Sequence, residues 1–133
     1  MLNKGNAMKL RTKKTEQWIH FLRDGGETRF LVSPMTESEN ADLLKLCRKF
    51  GWEKGQRFED TPDYKSFKSQ KIKKTILDWE GAENEDGMEL DCTDENKLKI
   101  YYGDPKVVNW VLEEADKILE AGIKEDEADK ANL

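Results

Sequence analysis

Cysteine, histidine and proline are scarce in this chain of 133 residues, which holds two, one and three of them. Two cysteines cannot build a disulfide framework, and with a single histidine they make no recognisable zinc site. No apolar run approaches the roughly 18 residues of a membrane span, and no apolar stretch follows the basic start. Neither a membrane helix nor a signal peptide is therefore expected, and both cysteines suit a reducing cytoplasm. Glycine-rich phosphate cradles are lacking as well, since Gly25-Gly26 has no Gly-Lys-Ser/Thr behind it. What is present is charge, at 38% of residues against 36% hydrophobic. Four Trp, five Phe and three Tyr are nevertheless anchors that disordered chains seldom carry. The expectation is one α+β domain over 15–123, between a flexible basic arm (1–14) and a disordered acidic tail (124–133).

The net charge of −5 conceals an asymmetry. Residues 1–74 carry 17 Lys+Arg and 10 Asp+Glu, while residues 75–133 carry 6 and 18, giving halves of +7 and −12. Such a dipolar chain hints at partners or self-association. The basic share lies at Lys4, Lys9, Arg11, Lys13 and Lys14, and again at Lys65, Lys68, Lys71, Lys73 and Lys74. Lysine clusters of this kind can neutralise phosphates, so a small nucleic-acid-binding domain is the alternative function. Nearby acid and the lack of any known nucleic-acid motif weigh against it.

Local patterns place the elements. Two β-type runs, Thr15–Leu22 and Thr28–Val32, flank Asp24-Gly25-Gly26 and predict a hairpin. Trp18 and His20 should share one strand face, Ile19 and Phe21 the other. Thr36 through Glu39 fits a capping box, opening a helix carried by Leu43, Leu44, Leu46, Cys47 and Phe50. Gly51 should close that helix, with Trp52 folding back on it. Thr61 and Pro62 are expected to open a second helix, with Tyr64 and Phe67 facing the core. From Gln70 the period is ambiguous; Thr75–Trp79 favours a short strand ending at Gly81. Thr93 should cap a third helix. Asp104 and Pro105 should open a fourth, whose stripe is Val107, Val108, Val111, Leu112, Ala115, Ile118 and Leu119, ending at Gly122. The architecture expected is a hairpin and a short mid-chain strand packed with three to four helices.

No catalytic residue, metal site or cofactor site is expected from the residue pattern. His20 sits in a hairpin strand without a partner at any useful spacing. Cys47 lies on an apolar helix stripe, as buried thiols commonly do. Cys92 stands at a helix entrance, where a thiol pKa can be lowered. The acidic stretches Glu83–Gly87 and Asp91–Glu95 lack the spacing and closing Glu of a calcium loop.

One stretch carries a resemblance. Thr75-Ile76-Leu77-Asp78-Trp79-Glu80-Gly81, an acidic spacer with Asp86-Gly87, then Leu90-Asp91-Cys92-Thr93 and Glu95-Asn96-Lys97 resembles the signature of phage tail assembly chaperones and related prophage tail components. A terminal helix follows, as it does in those proteins, and the upstream hairpin and helix come in a similar order. The basic N-terminal arm and the long hairpin region depart from their pattern. The resemblance implies a non-enzymatic protein of the bacterial host cytoplasm that binds a tape-measure protein before the tail tube polymerises. Apolar grooves rimmed by charge would suit such a role. Trp79, beside Gly81, is then one candidate partner-binding residue. Trp110, off the main stripe of its helix, is another. A homo-oligomer is compatible with this role; membrane contact is not expected, and nucleic-acid contact is disfavoured.

Overall fold

The computed structural model describes residues 7–10, 14–53 and 56–131, with side chains outside 49–60 and 123–131. The first hairpin pairs β1 (Gln17–Arg23) with β2 (Gly26–Val32), in register from Gln17 opposite Val32 to Arg23 opposite Gly26. Asp24 and Gly25 form the two-residue turn with φ of 50° and 78°. Positive φ at both positions matches the right-handed twist of the strands, which is why Asp-Gly serves here. Ile19 is buried and Trp18 and His20 are exposed, as strand alternation requires.

Thr36 caps α1 (Glu37–Leu46) with a reciprocal box: its hydroxyl accepts from the Glu39 amide at 3.2 Å, and the Glu39 carboxylate accepts from the Thr36 amide at 3.1 Å. The helix stops at Leu46, earlier than the apolar spacing predicted. Residues 48–62 form a second hairpin, β3 (Arg48–Glu53) with β4 (Gln56–Pro62). Phe50, Trp52 and Phe58 are poor helix formers and good strand formers, so the pairing of β3 with β4 takes the residues assigned to the helix end. Gly51 and Trp52 consequently belong to β3 and close no helix. The Asp63 amide donates to the Cys47 carbonyl at 2.7 Å and ties the hairpin base.

Asp63, not Thr61, caps α2 (Tyr64–Thr75), its carboxylate accepting from the Ser66 amide at 3.2 Å. Pro62 lies at the end of β4 and so stands outside the helix. The helix runs to Thr75, past the ambiguous stretch, and hands over directly to β5 (Ile76–Glu80). That strand pairs antiparallel with β2, giving a three-stranded sheet of order β1-β2-β5. Phe30 faces Trp79 and Val32 faces Ile76 on the core side, and the register slips between them so that Leu77 is the extra residue. A bulge of this kind keeps both flanking residues on one face.

The helices α3 (Asp94–Gly103) and α4 (Pro105–Ala131) complete the chain. Thr93 caps α3, accepting from the Asn96 amide at 3.1 Å. Pro105 takes the first position of α4, while the Asp104 carboxylate pairs with Arg23 at 2.6 Å and so fastens β1 to the α3–α4 corner. Gly122 does not end α4, and the segment expected to be a disordered tail is helical through Ala131. A single interior glycine costs only about 1 kcal/mol against Ala, and the Ala, Glu and Lys beyond it are strong helix formers.

The main core lies between the sheet and α4. Ile19, Phe30, Val32, Ile76 and Trp79 meet Val107, Val108, Val111, Leu112 and Ala115, with Ile72 of α2 closing one side. Among the described residues Met35, Leu43 and Cys47 form a second cluster, with Phe67 packed against it.

Candidate functional site

The signature from Trp79 to Asn96 folds as one connector. Trp79 is 6% exposed, stacks edge-to-face on Phe30 with centroids 6.2 Å apart, and donates its indole N–H to the Leu90 carbonyl at 2.7 Å. Between them the acidic spacer makes a miniature hairpin. Glu83 bridges to Glu89, and the Asn84 side-chain oxygen accepts from the amides of Asp86 and Met88 at 3.0 and 2.9 Å. Gly87 turns it with φ of 77°. Beyond it, the Asn96 side chain donates to the Asp91 carbonyl at 2.9 Å and locks the start of α3.

Trp79 and Gly81 were candidate partner contacts; their surroundings make them structural. Trp79 is a core residue whose one polar atom is already bonded. Gly81 has φ of 78°, and a Cβ there would stand 2.8 Å from the Glu27 backbone oxygen. Its carbonyl accepts from the Thr28 hydroxyl at 2.9 Å, so Gly81 lets β5 close down on the start of β2. Trp110 is half-buried and stacks on Phe21, centroids 5.1 Å apart at 64°. The three residues do not converge on one surface.

Lys97 is a residue that the pattern did not single out as more than part of Glu-Asn-Lys. It is 6% exposed. Its ammonium donates to the Lys73 carbonyl at 3.1 Å and to Asp94 at 3.2 Å. A helix end leaves carbonyls without partners, and Lys97 satisfies one of them while joining α3 to α2. Cys92 does not behave as an activated thiol: burial pushes it up from its ordinary range, against the smaller lowering pull of Lys97. Cys47 is buried, 3.7 Å from the Ser66 hydroxyl.

Among the described residues, two open surfaces have the makings of a binding site. One is the sheet face turned away from α4. Trp18 lies directly across from Leu31, and Leu31 from Asp78. Leu22 at 72% and Leu77 at 39% exposure add apolar area, beside Trp18 at 37%. Ion pairs border this area: His20 with Glu27, and Arg29 with Glu80 at 3.6 Å. The His20 contact is the largest influence holding the Glu27 carboxyl below its usual range. The other surface is a cleft of about 290 Å³ between α2 and α3, lined by Lys65, Lys68, Ser69, Tyr101, Tyr102 and Pro105.

No family model, curated protein sequence or solved structure matches this chain. Among the described residues no helix is long and apolar enough to cross a membrane.

Proposed function

We propose that this protein holds another polypeptide without making or breaking covalent bonds, in the manner of a phage tail assembly chaperone binding a tape-measure protein in the host cytoplasm. The observation that carries the reading is the uncovered sheet face. Trp18, Leu31, Leu22 and Leu77 offer aromatic and aliphatic area to the apolar side of an amphipathic helix, and the bordering His20–Glu27 and Arg29–Glu80 pairs keep it soluble. The resemblance over Trp79–Asn96 supports the same reading through the fold, because those residues build the connector that sets β5 against β2. Partner contact therefore moves from Trp79 and Gly81 to Trp18 and its neighbours.

The test is co-expression with a candidate tape-measure protein. The wild-type chain should raise that protein's soluble fraction and elute with it on size exclusion. Trp18→Glu, on an exposed position that leaves the core intact, should lose both effects while keeping its circular dichroism spectrum. No complex with the wild type would refute the reading.

A further inference from the structure

We infer that the cleft between α2 and α3 is a self-association site, and that it takes the acidic flank of α4 from a second copy of this chain. The α2 helix carries Lys65, Lys68, Lys71, Lys73 and Lys74 and no carboxylate. Among the described residues none of the five has a carboxylate within 4.0 Å. The Lys68 ammonium rests 5.8 Å from the centre of the Tyr101 ring, a contact that orients a cation without neutralising it. Tyr101 and Tyr102 of α3 line the cleft with Lys65 and Lys68, and Tyr102 is 66% exposed. The cleft thus joins uncompensated positive charge to an aromatic wall.

The complement is built into the same chain. Glu113, Asp116 and Glu120 are exposed at i, i+3 and i+7 of α4, so they share one flank. None of them is in an ion pair among the described residues; the neighbouring Lys117 is bonded to Glu114 at 3.0 Å. At about 1.5 Å rise per residue, Lys65 to Lys68 in the cleft and Glu113 to Asp116 on α4 each span about 4.5 Å, so the two charge pairs match in spacing. Within one molecule they are held apart, because Glu113 lies about 12 Å along α4 from Pro105 at the cleft. Two different patches of one chain pair head to tail, leaving one of each free on every dimer, so association continues into a ring or a chain. A nucleic acid is disfavoured as the occupant, since a chain of net charge −5 repels a polyanion at long range.

Sedimentation velocity over a concentration series tests this, and the inference stands independently of the tape-measure reading. The wild-type chain should associate at low salt and revert to monomer at about 0.5 M, where screening reaches only a few ångströms. Lys65→Glu with Lys68→Glu should weaken association at least about tenfold, and so should Glu113→Lys with Asp116→Lys and Glu120→Lys. The two sets combined in one chain should restore it. Lys65→Gln with Lys68→Gln serves as a milder second variant, and circular dichroism checks each fold. A wild type that stays monomeric at low salt overturns the inference, as do a reversed-charge chain that associates normally and a combined chain that does not recover. Binding of a single-stranded oligonucleotide that the Lys65/Lys68 variants lose, with association unchanged, also overturns it and assigns the cleft to nucleic acid.

Discussion

Among the described residues the two hydrophobic clusters are unequal, and the difference separates what holds the sheet to α4 from what packs beside α1. Among the described side chains, twelve are buried together around the sheet and α4, and three, Met35, Leu43 and Cys47, beside α1 and α2. Hydrophobic stabilisation scales with apolar area removed from water, so truncation in the first cluster is expected to cost more than truncation in the second. The resembling stretch belongs to the first. Its Trp, Gly, Asn and Thr are there because β5, the miniature hairpin and α3 need them, and of its apolar side chains Leu77 joins Trp18, Leu22 and Leu31 on the outer sheet face.

The contrast can be broken by truncation. Trp79→Ala removes a large core side chain and strands the Leu90 carbonyl, so it should cost about 3–5 kcal/mol in urea denaturation. Leu43→Ala should cost about 2 kcal/mol, at the low end for such changes, because among the described residues only Met35, Cys47 and Phe67 share its cluster. Equal losses would mean that the clusters are one cooperative core. Gly81→Ala comes next, at about 2 kcal/mol, since the left-handed backbone alone costs about 1–2 kcal/mol and the Cβ also meets the Glu27 carbonyl. Thermal melting checks it, and Glu80→Ala on the exposed neighbouring position should be close to neutral. Lys97→Met keeps the buried stem but abandons the Lys73 carbonyl, and should lose about 1–2 kcal/mol by the same measurement.

The smallest expected effect is a pH dependence in the minor region. Partial burial pushes the Glu39 carboxyl up, but bonds from Lys14 and from Thr36 outweigh it and leave the group below its ordinary 4.5. A carboxyl depressed in the folded state contributes stability that is whole above the ordinary value and lost as pH falls through the folded one. With both partners well exposed, the loss should be a few tenths of a kcal/mol. Comparing urea midpoints of wild type and Glu39→Gln between pH 7 and pH 3 checks the sign: Gln still fits the capping box, so the difference should shrink as pH drops. A difference that grows on acidification would contradict the assignment.

Local chemistry made most of the elements legible. The Asp24-Gly25 turn, the Thr36–Glu39 box, the Thr93 cap and the α4 stripe depend on side chains acting on their own backbone, and each stands where the pattern put it. Tertiary competition hid the rest. Leu43 through Phe50 reads as one apolar stripe, yet Leu46 is 83% exposed and the chain leaves the helix to pair β3 with β4. The alternation of Phe50 and Trp52 with Phe58, around Lys54-Gly55, was the available signal for that hairpin. Ile72 and Ile76 looked like members of one element, but the helix-to-strand change falls between them, where Ser33 donates to the Thr75 carbonyl at 2.9 Å. Site residues were harder still. Trp79 and Gly81 drew attention through their motif, while Trp18 differs from a core tryptophan only by the strand face it occupies, which pairing decides.

The central claim is that the open sheet face grips another polypeptide, and the soluble yield of a co-expressed tape-measure candidate tests it most directly. The account predicts a soluble complex with the wild-type chain, lost with Trp18→Glu and Leu77→Glu although both variants stay folded. Equal yields with wild type, with these variants and with no partner chain at all would contradict it.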